Sequence, residues 1–228
     1  MTQLERAEGP VGRPRLIDIT PLVSARIAVW PGDTPFGYTA NARIADGANI
    51  DLGEIRTTVH VGAHADSTSH YHADGVGVEQ RELDRYYGDC EVIAVDVARG
   101  ARIQPSDLPH EPSSERVLFR TGTYPDPEQF NEDFAAFSPA LLEHLADRGV
   151  RLVGIDTPSA DLFASKGLEA HQVLFARDLA ILESLALGHV EPGRYTLIAL
   201  PLKLEGADAS PVRAALLPHD PKPTYDLP

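Results

Sequence analysis

Residues 60–72 read HVGAHADSTSHYH, and this stretch decides how the rest of the 228-residue chain is read. Four of the chain's nine histidines and an aspartate fall inside it. Imidazole and carboxylate are standard ligands of zinc, manganese and iron. His60, His64 and Asp66 share one side of the chain if it is extended, because side chains alternate along a strand. Gly62 lets the backbone bend or approach an ion closely. The helical HExxH zinc pattern does not fit, since Val61-Gly62 is poor helix material. A loop at a strand end is the expected setting. Three ligands of this kind leave a coordination position open, which catalysis requires. His70 and His72 follow at even spacing, and either could transfer protons. Spacing alone does not choose between them.

Outward from this run, β-type patterns predict strands over residues 16–19, 26–30, 52–61, 92–97, 116–120, 151–155, 195–200 and 212–217. The segment PGDTPF, residues 31–36, reads as a turn. A helix is expected over 139–148, with Ser138 as N-cap, Pro139 in the first position and Gly149 ending it. A second is expected over 168–178 and carries His171. Many strands with few helices predict an α/β or α+β domain around a mixed sheet. Residues 1–15 read as a leader, 16–217 as one domain and 218–228 as a Pro-rich tail.

Composition narrows the function. The net charge of −14 argues against nucleic-acid or anionic-membrane surfaces, which attract clustered Lys and Arg. No stretch approaches the roughly 20 apolar residues of a membrane span, and residues 1–15 lack the apolar region of a signal peptide. A cytoplasmic enzyme is expected. Cys90 is the only cysteine, so a thiolate metal site is not expected, and the residue reads as an inert packed thiol. Taken singly, His171 reads as a helix-surface histidine. Glu183 taken singly reads as a solvated carboxylate, although its neighbours Ala180, Ile181, Leu182 and Leu185 are apolar and a buried carboxylate is costly unless paired or metal-bound. Trp30 reads as a core residue. His110, His144, His189 and His219 show no partner pattern and are expected at the surface.

The extended motif HVGAHADSTSHYHADG resembles the HxGTHxDxxxH signature of the metal-dependent cyclase-like hydrolases, and within them the bacterial kynurenine formamidase branch. The resemblance runs from IDITPLVSARIAVWPGDTPF through GIDTPSADL, HQVL, LAILESL and YTLIALPLKL to DASPVRA. It implies the swivelling β/β/α cyclase-like fold, with a mixed β-sheet core and few helices, and a homodimer or larger assembly. It implies two divalent ions per subunit, zinc first and manganese or iron as alternatives. His60, His64, Asp66, His171 and Glu183 would hold them, with Asp66 bridging. By the same resemblance His70 is the general acid/base and Trp30 contacts substrate. The implied reaction is hydrolysis of an aryl formamide, N-formyl-L-kynurenine, to L-kynurenine and formate in tryptophan catabolism. The linear amide C–N bond breaks after attack of a metal-activated water on the formyl carbon. Ala63, the Ser67-Thr68-Ser69 link and His72 depart from the broader pattern. Two other readings compete. One keeps the site but cleaves another aryl amide or a cyclic amide of the isatin type; the other is a binding protein whose metal only holds the fold.

Overall fold

The structure, a computed structural model, describes residues 15–219. Most of the expected leader and tail therefore lies outside the described residues. The chain opens with β1 (Ile17–Asp18), β2 (Gly37–Ala42), β3 (Leu52–Arg56), β4 (His64–Asp66) and β5 (Tyr87–Ala94). Next come β6 (Arg102–Ile103), β7 (Arg116–Arg120), β8 (Ala136–Phe137), α1 (Pro139–Ala146) and β9 (Leu152–Ile155). The rest is α2 (Glu169–Ala176), β10 (Ala180–Glu183), β11 (Gly193–Ile198), β12 (Ala209–Pro211) and β13 (Ala215–Pro218). Nine strands form one mixed sheet in the order β1-β13-β11-β5-β7-β9-β10-β4-β12. Its centre, β5-β7-β9-β10, is parallel, and the flanking pairs are antiparallel.

Burial explains the apolar runs. Val117, Leu118 and Phe119 in β7 are fully buried because the parallel centre is covered on both faces. The pleat sends Phe119, Val153, Ile155 and Ile181 into a core shared with Leu141, Leu142 and Leu145 of α1 and Leu174 of α2. Leu118, Leu152, Leu182, Leu197 and Leu216 pack in a second core. Gly154 of β9 belongs to this arrangement, since a Cβ there would lie 2.4 Å from a Leu118 methyl and 2.9 Å from a Leu185 methyl. Ser138 caps α1 as expected, accepting the Leu141 N–H at 3.1 Å.

Some expectations fail for identifiable reasons. Residues 26–30 form no strand; the Ile27 N–H closes a turn on the Ser24 carbonyl, and the Ala28 N–H bonds Pro127. The strand expected over 52–61 stops at Arg56, and a loop with Gly62 at φ 59° leads into β4. His60 is therefore brought to the site by this turn, not by strand alternation. The last expected strand starts later, at Ala215, and pairs as far as Pro218. The short edge strand β12 before it and β2, the hairpin partner of β3, carried too little alternation to be read.

Candidate metal centre and active-site cavity

The pleat of β4 points His64 and Asp66 one way and Ala65 the other, into the core. Across the antiparallel ladder Glu183 stands opposite His64. Glu183 ends β10, on the sheet face that α2 covers, and α2 presents His171 there. His64, Asp66, His171 and Glu183 are each no more than 3% exposed. His171 is thus not the surface histidine that its isolated sequence context suggested. The five residues expected to be ligands converge from a loop, two strands and a helix.

Each imidazole is held from behind by an oxygen. His64 Nδ1 lies 2.8 Å from the Gly62 carbonyl, and His171 Nδ1 lies 2.9 Å from Asp161 Oδ2. His60 Nε2 lies 3.0 Å from Asp208 Oδ2. Donating outward in this way leaves the second nitrogen bare and inward, the usual state of a metal-ligating histidine. The inward atoms are close together. His60 Nδ1 and His64 Nε2 stand 3.0 and 3.3 Å from Asp66 Oδ1. His171 Nε2 stands 3.7 Å from Asp66 Oδ2 and 3.6 Å from Glu183 Oε1, and His64 Nε2 is 3.4 Å from Glu183 Oε2. Donors on a tetrahedral ion with bonds of about 2.0–2.1 Å lie about 3.3 Å apart.

Among the described residues, His64 Nε2, Asp66 Oδ1 and His171 Nε2 are buried without a hydrogen-bond partner. An unmade bond of this kind costs about 1–3 kcal/mol per group. Divalent ions would satisfy all three. The donors form two groups suited to a cation, His60–His64–Asp66 and Asp66–His171–Glu183, sharing Asp66. Proton affinities point the same way. Burial alone would lower the pKa of His64, but Asp66 and Glu183 outweigh it and raise it to about 10. Burial would raise Asp66, but the surrounding imidazoles hold its carboxyl well below the usual range. The carboxylates demand positive charge, from protons or from metal.

The pocket lies beyond the carboxyl ends of β7, β9 and β10, where open α/β sheets place ligands. A cavity of about 690 Å³ is lined there by His60, His64, His70, His171 and Glu183 together with Trp30. Trp30 is 37% exposed, not a core residue, and its ring meets Phe130 edge-on at 5.5 Å and Phe163 at 5.0 Å. Tyr124 and Phe130 extend this wall. Backbone strain flanks the site: Leu168, before α2, and Ser184, after Glu183, are non-glycine residues at φ 49° and 54°.

His70 and His72 separate. His70 lines the cavity, with Nδ1 3.0 Å from Asp208 Oδ2. His72 stacks on Phe175, centroids 3.6 Å apart at 12°, and accepts the Asp74 N–H. The other histidines do have partners: His110 meets Glu91, His144 meets Glu111, His189 meets the Asp18 carbonyl and His219 meets Thr196. Cys90 is buried, and burial pushes its thiol pKa up.

Two carboxylates were given no role by the sequence. Asp161 accepts the His171 N–H and Nδ1–H and the Ala170 N–H, and pairs with Arg102. Burial would raise its pKa, but the His171 ring, these amides and Arg102 bring it down to about 2. Asp208 joins His60 and His70. Both lie within the quoted motifs GIDTPSADL and DASPVRA, yet neither spacing nor neighbours marked them.

A sequence model described as "Putative cyclase" matches residues 17–162. A kynurenine formamidase of Delftia acidovorans is 45% identical over 204 residues, 89% of this chain and 97% of that protein. The chain belongs to the kynurenine formamidase family of cyclase-like metal-dependent hydrolases. A solved structure described as a potential metal-dependent hydrolase with cyclase activity superposes at a TM-score of 0.78 with 28% identity, covering 92% of this chain and all of that one. Isatin hydrolase A from Labrenzia aggregata shares the fold at a TM-score of 0.75 and 21% identity, over 90% and 94% of the two chains. The mixed sheet with few helices is the cyclase-like fold expected. The protein is a metal-dependent hydrolase of this family. Among the described residues, no helix is long and apolar enough to cross a membrane.

Proposed function

We propose that this chain hydrolyses N-formyl-L-kynurenine to L-kynurenine and formate. The observation that carries the reading is the convergence of His60, His64, Asp66, His171 and Glu183 on one buried point beneath an aromatic wall. Relatives that are 43–45% identical and carry the name kynurenine formamidase support the choice of substrate. We assign those five residues as the ones that would hold two divalent ions, zinc first, with Asp66 shared between the two groups. Ions held there would acidify a water and polarise a carbonyl oxygen.

Trp30 and its aromatic neighbours bind the aryl ring and orient the formamide toward the ligands. His70 takes a proton from the attacking water and delivers it to the departing nitrogen. A C–O bond forms at the formyl carbon as the C–N bond breaks, and the products are formate and the arylamine. An arylamine leaves more readily than an alkylamine, so acid assistance from one imidazole is enough. The hairpin β2–β3 and its loop expose Tyr38, Ile44, Leu52 and Ile55, an apolar patch that supports homodimer formation. A cytoplasmic location completes the reading.

The test is a spectrophotometric assay on zinc-loaded protein. Formylkynurenine absorbance should fall as kynurenine appears. No turnover, alongside cleavage of isatin, would replace this substrate with a cyclic amide.

A further inference from the structure

Asp208 is placed by the sheet. It immediately precedes β12, whose Ala209 pairs with Asp66 of β4. The Ser67 N–H donates to the Asp208 carbonyl at 2.7 Å. The backbone around Asp208 is therefore tied to the strand that carries His64 and Asp66. Its carboxylate oxygen Oδ2 stands 3.0 Å from His60 Nε2 and 3.0 Å from His70 Nδ1. The two rings lie 4.2 Å apart, centroid to centroid.

A carboxylate only accepts, so each imidazole donates the nitrogen that faces it. His60 then carries hydrogen on Nε2, and with a cation held between Asp66 and the ring its Nδ1, 3.0 Å from Asp66 Oδ1, would be the bare, ligating atom. His70 carries hydrogen on Nδ1 and keeps Nε2 as its basic nitrogen, on a ring that lines the cavity. We propose that Asp208 is a positioning residue shared by the metal centre and the proton carrier, one oxygen fixing the tautomer of His60 and of His70 together. This rests on the roles given above to His60 and His70. It explains why the two rings stand side by side: ligation and proton transfer are aligned by one anchor. The donor atoms of His60, His70 and Asp208 are also close enough to hold a cation themselves. That arrangement would need His70 Nδ1 bare, so the tautomer separates the two.

The experiment compares zinc-loaded wild type with Asp208→Asn, Asp208→Glu and His70→Ala. Long-range ¹H–¹⁵N spectra of wild type should show His70 protonated on Nδ1 and bare on Nε2. Asp208→Asn should lower kcat about 10–100-fold, with KM changed less than roughly two-fold, and lose zinc faster to a chelator. Asp208→Glu should recover part of kcat. With His70 already replaced by Ala, Asp208→Asn should cost much less of kcat than it does in wild type. A bare Nδ1 on His70, or wild-type kcat and zinc retention in Asp208→Asn, would overturn the proposal. A wild-type rate in His70→Ala would instead sink the proton-carrier reading, while zinc retention in Asp208→Asn would still judge the His60 half.

Discussion

His64 and Asp66 stand two residues apart on β4 and need only the pleat of the strand to face the same way. His171 and Glu183 reach the same point from a helix and from the end of a parallel strand. The first wall is local. Its loop turns at Gly62, and the Gly62 carbonyl itself orients His64. The second wall is assembled at a distance. Glu183 is placed by the ladder of β10 against β4 and β9, and His171 by Asp161, which holds both the start of α2 and the ring. The His64–Asp66 pair takes its orientation from its own strand and loop, whereas the assembled wall depends on supports from other elements.

Replacing a donor of the assembled wall should have the largest effect. Glu183→Gln would remove a charge that the proposed second ion needs. It should lower kcat/KM about a thousand-fold and reduce metal content, read by steady-state kinetics and elemental analysis on one preparation. Full metal content with normal turnover would break the equivalence of the two walls. His70→Ala comes next, with kcat down on the order of 100-fold or more and metal content unchanged. Loss of metal in that variant would make His70 a ligand and not a proton carrier.

Asp161→Ala tests the support behind His171. Metal affinity should fall about 10–100-fold. The amides it leaves unpaired should cost about 1–3 kcal/mol of stability, measured by denaturant unfolding. Wild-type affinity would show that α2 positions His171 unaided. The smallest effect is expected for His72→Ala, which removes the stack on Phe175 and the acceptor of the Asp74 N–H, both away from the cavity. Turnover should stay within roughly two-fold, and stability should drop by about 0.5–1.5 kcal/mol. A large loss of kcat would bring His72 into the chemistry.

The same contrast explains what could be read from the chain. The local wall was legible because histidine density and even spacing lie within one short run. The strand over residues 116–120 and the Ser138 cap of α1 were legible because β-branched and apolar clustering and capping chemistry are local signals. His171 has no such signal, and Glu183 has only its apolar neighbours, which mark it as unusual without giving it a role. Only the resemblance named them as ligands, and read singly His171 pointed to the surface. Asp161 and Asp208 were not legible, since a carboxylate that orients an imidazole is defined by the fold that brings them together. The choice between His70 and His72 also lay beyond spacing. It depends on Asp208 anchoring one ring while Phe175 captures the other.

If the two walls close a single metal centre, the number of zinc ions bound per chain depends on both. Wild type, saturated with zinc and desalted, should retain about two ions per chain, and His171→Ala should retain about one. A His171→Ala variant that keeps the wild-type stoichiometry and affinity would mean that the second wall holds no ion.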